Sequence, residues 1–320
     1  MIKNKWYIVL SSEEVKKNNI LKVRRFGKEI IFWRDSNNIV HALDSRCPHR
    51  KADLSLGKIV NDCIQCPYHG FLFNGEGQAV LIPSLGKSTK LNPNYRVKSY
   101  TVKEYMNFIF LWYGDENPTE EIKWLEGIDN SFSFSTMKAE WNVNYTRAIE
   151  NQLDVSHLPF VHKTTIGRGN RTLVNGPIAE LDEDVLNVWV CNEIDNGQLP
   201  KKSNEIKKEQ CIGRLQLIFP NYWQNIISDK MRVMAAFVPQ DDETTILYIR
   251  LYQKLFKIPV LRELINLIIM RFNKIVLNQD KGVVTSQIPK FSDISNKELL
   301  VQADLPILLF RKYLHEKMNE

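Results

Sequence analysis

Short apolar runs punctuated by polar turns dominate the first third of the chain. Residues 6–10, 21–26, 29–34, 39–43 and 108–113 are each rich in Val, Ile or aromatic residues, with clusters such as Asp35-Ser36-Asn37-Asn38 between them. The pattern predicts the strands of a small antiparallel β domain. It changes after Asp115-Glu116-Asn117-Pro118, which reads as a linker. Beyond it, the spacing predicts a helical segment over 141–155 and strands over 186–192, 214–219, 231–237 and 245–253. A long helix is expected from 259 to 286. Helices packed on one face of an antiparallel sheet make an α+β domain. The expected organisation is two domains, 1–115 and 116–320.

The composition changes this picture little. At 320 residues, 43% hydrophobic and 25% charged, the chain supports two ordinary soluble cores. The net charge of +6 is spread out. Its densest basic run, 201–209, is interrupted by two glutamates and reads as a solvated loop, so nothing marks a nucleic-acid surface. The first ten residues hold too short an apolar run for a signal peptide. The apolar stretch 258–277 is broken by Arg262, Glu263, Arg271 and Lys274 and does not read as a bilayer span. Of five cysteines, Cys63, Cys191 and Cys211 show no paired framework, and the chain reads as a reduced, cytoplasmic protein.

The chemistry sits in two constellations. Cys47-Pro48-His49-Arg50 and Cys66-Pro67-Tyr68-His69-Gly70 each offer one thiolate and one imidazole, with fifteen residues between the two motifs. A [2Fe–2S] centre with two Cys on one iron and two His on the other needs this mixed supply, and imidazole ligation raises its potential. Gly57, Gly70, Gly75, Gly77 and Pro83 mark tight turns around the second loop.

The second constellation is Glu150-Asn151-Gln152-Leu153-Asp154-Val155-Ser156-His157-Leu158-Pro159-Phe160-Val161-His162. Five residues along an unbroken helix turn through about 140°, so His157 and His162 could not face one metal. Pro159 between them should end or kink the helix and let His162 swing back. Two histidines and a carboxylate hold iron(II) in non-haem oxygenases. Asp280 is the best carboxylate, because it follows an apolar face of Ile265, Ile268, Ile269, Phe272 and Val276; Glu150 and Glu263 are weaker candidates. Asp154, three residues before His157, is placed to hold its other ring nitrogen. Asn151, one turn further back, is a further candidate to approach the metal.

On these motifs, and on Gln279-Asp280-Lys281-Gly282-Val283-Val284 downstream, the chain resembles the catalytic α subunit of Rieske non-haem iron oxygenases. Its wording resembles the monooxygenase branch of vanillate and dicamba demethylases and relatives of pheophorbide a oxygenase. The resemblance implies a helix-grip, START-like catalytic domain after the Rieske domain, and O2 as co-substrate. It implies electrons from a separate NAD(P)H-dependent reductase or ferredoxin, and hydroxylation or oxidative demethylation of a small organic substrate. It also implies a head-to-tail homotrimer in which Asp154 bridges His69 of one copy to His157 of the next. Residues 1–320 show no stretch like the C-terminal membrane segment of the plant pheophorbide enzymes, so no membrane association is expected of them, and Cys63 has no role in the pattern.

Three other readings compete. Two Cys and two His also suit tetrahedral zinc, but zinc leaves His157, His162 and Asp280 unexplained. An electron carrier needs only the first hundred residues or so. A non-catalytic ligand-binding module would be marked by a missing triad member. Within the family, cis-dihydroxylation of an aromatic ring is the alternative chemistry. Phe219, Trp223, Met234, Phe237, Tyr248 and Met270 are candidate pocket residues, with Asn225, Asp229 and Arg232 for polar recognition. Residues 167–170 (G-R-G-N) lack a complete nucleotide motif. They lie in 164–176, read as a mobile loop near the iron.

Overall fold

The computed structural model describes residues 1–255 and 259–319, the side chains of 259–264 and 267 excepted. The chain folds as two compact units: Asn4–Glu121, and Ile122–Glu320 together with Met1–Lys3.

In the first unit, β1 (Lys5–Ser11), β2 (Leu21–Arg25), β3 (Lys28–Arg34) and β4 (Val40–Asp44) come first. Then follow β5 (Lys58–Val60), β6 (Cys63–Gln65), β7 (Leu72–Phe73) and β8 (Ala79–Leu81). The last three are β9 (Ser99–Tyr100), β10 (Val102–Tyr105) and β11 (Phe108–Tyr113). They pair as antiparallel sheets β1-β11-β10, β2-β3-β4-β9 and β5-β6-β7-β8. Ile30 to Trp33 are buried without alternation, which is how a strand covered on both faces reads in sequence. Phe26 and Gly27, both at positive φ, make the two-residue turn between β2 and β3. The expected strands correspond to β1 to β4 and β11. Strands β5 to β10 are two to four residues long, too short to show a period.

The second unit opens with β12 (Ser133–Trp141), α1 (Tyr145–Leu153) and the single turn α2 (Leu158–Val161). There follow β13 (Leu173–Asp182), β14 (Val185–Glu193), β15 (Gly213–Ile218), β16 (Tyr222–Ser228), β17 (Met231–Pro239) and β18 (Thr245–Gln253). Two helices, α3 (Pro259–Val284) and α4 (Leu305–Asn319), complete it. Strands β13 to β18 form an antiparallel meander, and β12 pairs with the outer edge of β18. Residues Leu217, Trp223, Ala235 and Ile249 are successive cross-strand partners in one row. They share a core with Ala148 and Leu153 of α1, Leu277 of α3 and Phe310 of α4. Helices therefore pack on one sheet face, the expected α+β arrangement.

Several expectations change. Trp141 ends a strand, and the helix begins only at Tyr145, where the Asn144 side chain accepts from Thr146 N–H. Strands β12, β13 and β16 were not legible, and β13 takes up the end of the expected loop 164–176. Of the supposed inward face of α3, Ile268 and Phe272 are exposed at 60% and 41%; Asn266, Leu277, Asp280 and Val284 are buried instead. Apolar residues occupy more than one side of this helix, so counting them does not fix its inner face. Glu263's side chain lies outside the described residues.

Cys191 and Cys211 form a disulfide. The meander brings them together: Ile212 N–H donates to Val190 C=O, closing the 194–212 excursion between β14 and β15. The cysteine argument for a reducing compartment therefore fails. Among the described residues no helix is long and apolar enough to cross a membrane.

Candidate metal centres

The two loops of the first unit share one backbone design. Cys47 N–H donates to Ala52 C=O, five residues on, and Lys51 N–H returns to Cys47 C=O. In the second loop Cys66 N–H donates to Phe71 C=O and Gly70 N–H returns to Cys66 C=O. The fourth residue after each cysteine, Lys51 and Gly70, has positive φ, which turns the chain back on itself. Both sulfurs are buried, among Leu54, Ile64, Phe71 and Phe73. The imidazoles lie further out: His49 is exposed and His69 half-buried, their ring centroids 4.7 Å apart.

Burial pushes the Cys47 thiol up to about 11; the His49 and Arg50 N–H groups work against this, and the neighbouring Cys66 adds to it. Two adjacent thiolates in an apolar core need a cationic partner. A cluster with its sulfur-ligated iron inside and its histidine-ligated iron at the edge fits this donor set. Cys63 lies outside it, as a half-buried free thiol.

In the second unit His157, His162 and Asp280 each direct one ligand atom into a region 4.8 Å across. Helix α1 stops at Leu153, before Pro159. Asp154 caps its C-terminus, and the Asp154 Oδ1 accepts from Ser156 N–H and Oγ–H at 2.6 Å each. His157 is the N-cap of α2 and Pro159 stands in that helix's first turn. The proline thus starts a new turn and does not bend an old one, but the geometric result is the one expected. The Nε2 atoms of His162 and His157 lie 2.9 and 3.6 Å from Asp280 Oδ1. Burial alone would push the His162 ring down; its bonds to Asp280 and Gln279 raise it above its ordinary value.

Neighbouring residues fix these groups. His162 Nδ1 lies 2.9 Å from Gln279 Oε1, and Asn151 Nδ2 donates to Asp280 Oδ1 at 3.3 Å. The His157 Nδ1 atom is buried without a hydrogen bond, 3.6 Å from Asp154 Oδ2. Gly167 N–H donates to His162 C=O, and a Cβ on Gly167 would meet Leu158 O at 1.8 Å. The G-R-G-N segment therefore packs against the ligand turn. Glu150 is engaged elsewhere, with Arg147 and Arg311. Two imidazoles and a carboxylate that converge in this way are a donor set suited to one ferrous ion.

Beside Asp280 lies a cavity of about 70 Å³. Its sheet wall is Trp223, Val233, Ala235 and Ile249; Asn273, Val276 and Leu277 face them from α3, and Gln152 from α1. Of the expected pocket residues only Trp223 lines it. Met234 and Tyr248 alternate with Ala235 and Ile249 and so point to the opposite sheet face. Phe219 packs on Phe310 and Tyr313, and Phe237 is core. Met270 contacts Asn273 Nδ2 through sulfur. Asn225 is half-buried outside the lining, Asp229 is fully exposed, and Arg232 is buried 4.0 Å from it. Sequence reading missed Gln152, Asn273 and Gln279. The seven-residue step from Asn273 to Asp280 is two helical turns, the one signal that could have found Asn273.

Comparison with known proteins agrees with this construction. Residues 5–102 match the Rieske [2Fe–2S] domain, and 141–320 match the vanillate O-demethylase oxygenase C-terminal domain. The toluene-4-sulfonate monooxygenase system iron–sulfur subunit TsaM1 of Comamonas testosteroni is 30% identical over 184 residues, covering 57% of this chain and 52% of that one. The 4beta-methylsterol monooxygenase of Methylococcus capsulatus is 31% identical over 166 residues, 50% of this chain and 44% of that one. The chain thus spans about half the length of these curated relatives. Its fold is shared with NdmA of Pseudomonas putida CBB5 with caffeine, at a TM-score of 0.80 and 21% identity over 98% of this chain and 90% of that one. Dicamba monooxygenase bound to dicamba gives 0.75 and 18% over 100% and 98%. With cluster loops inside the first matched domain and the His157, His162, Asp280 group inside the second, the chain belongs to the Rieske oxygenases that carry a vanillate O-demethylase-type C-terminal domain.

Proposed function

We propose that the chain is the oxygenase component of a monooxygenase system. A separate NAD(P)H-dependent reductase or ferredoxin supplies the electrons, and a small organic substrate is hydroxylated or oxidatively demethylated. The observation that carries the reading is the convergence of His157, His162 and Asp280 in a chain that also holds the Cys47, His49, Cys66, His69 loops. The relatives named as monooxygenases support it. When bound, the cluster supplies single electrons and the ferrous ion supplies activation of O2.

The balance is R–H + O2 + 2e⁻ + 2H⁺ → R–OH + H2O. For a methyl ether, R–OCH3 takes the same inputs to R–OH, formaldehyde and water. Gln279 Oε1 can only accept, so His162 carries its proton on Nδ1 and offers the Nε2 lone pair beside Asp280. Asn151 holds Asp280 in place, and Asp154 orients His157. The apolar walls of the cavity exclude water around the oxidisable carbon.

The reading extends to a head-to-tail homotrimer, in which Asp154 relays between His69 of one copy and His157 of the next. The exposed apolar residues Ile268, Phe272 and Ile275 on α3 support a surface that a second copy covers.

Reconstituted protein with a surrogate reductase should consume O2 in step with a product heavier by one oxygen, or lighter by CH2 with formaldehyde released. Products carrying two new hydroxyls would sink the monooxygenase reading in favour of dihydroxylation.

A further inference from the structure

The indole N–H of Trp223 is buried and has no hydrogen-bond partner among the described residues. Trp223 is 5% exposed, and it lines the same cavity as Asp280. A buried donor left unpaired is costly, and a native fold that keeps one has a reason to. The cavity exists because Ala235 stands between Trp223 and Ile249 in one cross-strand row and its side chain ends at Cβ. Val233, Ile249, Val276 and Leu277 make the remainder apolar, and the other polar side chains here are the amides of Gln152 and Asn273. Among the lining residues no cation faces the hollow and Asp280 is the one anion, so nothing calls for a charged ligand.

Resting on the oxygenase reading of this site, we propose that Trp223 sets substrate specificity. The substrate class is a small apolar ring with a neutral hydrogen-bond acceptor, such as a carbonyl or ether oxygen. The Trp223 N–H binds that acceptor, and the ring lies over Ala235 with its oxidisable carbon toward Asp280. About 70 Å³ holds roughly two waters. A ring therefore enters as the side chains of Asn273 and Gln152 swing aside. Among the described residues Asn273 Nδ2 is held only by a long contact to Met270 sulfur at 4.0 Å, so little opposes its movement, whereas Gln152 gives up the bond its Nε2 donates to Asn151 Oδ1 at 2.8 Å.

The test is anaerobic calorimetry on iron-loaded holoenzyme with a matched probe pair, 4-methylacetophenone and 4-ethyltoluene. Wild type should bind the ketone about tenfold more tightly than its hydrocarbon twin, the factor one buried hydrogen bond supplies. Trp223→Phe keeps the ring and deletes the donor; it should bring the ketone down to the twin's affinity and leave the twin unchanged. Ala235→Leu fills the hollow and should weaken both probes alike. Equal binding of the pair by wild type, a preference surviving Trp223→Phe, unchanged binding in Ala235→Leu, or binding of neither probe overturns the proposal. Ketone bound through Trp223 but never oxidised under O2 and reductant supports this recognition and removes the oxygenase reading instead.

Discussion

Gln279 Oε1 lies 2.9 Å from His162 Nδ1. One acceptor therefore fixes the tautomer of one ring, and with it the nitrogen that faces Asp280. Gln279→Leu removes the acceptor at similar size. Iron retention at the mononuclear site should fall about 10- to 100-fold, the range for groups that orient a metal-bound histidine. The Rieske optical spectrum should not change. Iron content measured after dialysis decides it; full retention would mean that Gln279 has no orienting role.

Gly167 is required by its neighbour. Its Cβ position lies 1.8 Å from Leu158 O, in the turn that carries both histidines. Gly167→Ala should displace that turn and lower iron retention together with melting temperature. Gly282 in α3 has open space around its Cβ position, so Gly282→Ala should melt at or above the wild-type temperature. Calorimetric melting of the pair checks both expectations.

The Cys191–Cys211 bond closes a loop of twenty residues' separation. Cys191→Ser or Cys211→Ser should cost about 3 kcal/mol, the scale for a loop of this length. Denatured, unreduced apoprotein should titrate three thiols, those of Cys47, Cys63 and Cys66. Five titratable thiols, or stability unaffected by reductant, would remove the bond.

Glu298 bridges Arg147 and Arg311, and those bonds hold its carboxyl below its ordinary value of 4.5 despite partial burial. A depressed acid stabilises the fold above its unfolded pKa, and that stability is lost as pH falls below 4.5 through the folded value. Glu298→Gln should therefore melt below wild type at pH 7, and the gap should narrow below pH 4.5. Melting curves from pH 3 to 7 test this; a constant gap would show that the ion pairs contribute nothing through ionisation.

The sequence carried the chemistry further than the architecture. Both cluster loops were legible because each confines a thiol, an imidazole and turn residues to a few positions. The His157/His162 spacing was legible once Pro159 ruled out a continuous helix, although the proline begins α2 and does not kink α1. The short strands β5 to β10 were not legible, because pairing across the sheet makes them and no local period does. The cavity was misread for a related reason. Met234 and Tyr248 have the apolar bulk of pocket residues, but the two-residue pleat turns both away, and the hollow depends on the small residue Ala235. The cysteine pair was invisible because only the β14–β15 return places Cys191 beside Cys211.

The most direct measurement is iron per chain in reconstituted protein, wild type against Asp280→Ala, read beside the electron paramagnetic resonance of the reduced cluster. Two irons in the cluster and one on the triad give about three in the wild type. The variant should hold about two, with the cluster signal unchanged. A wild type that stops at about two, or a variant that keeps the third, would contradict a mononuclear centre at His157, His162 and Asp280.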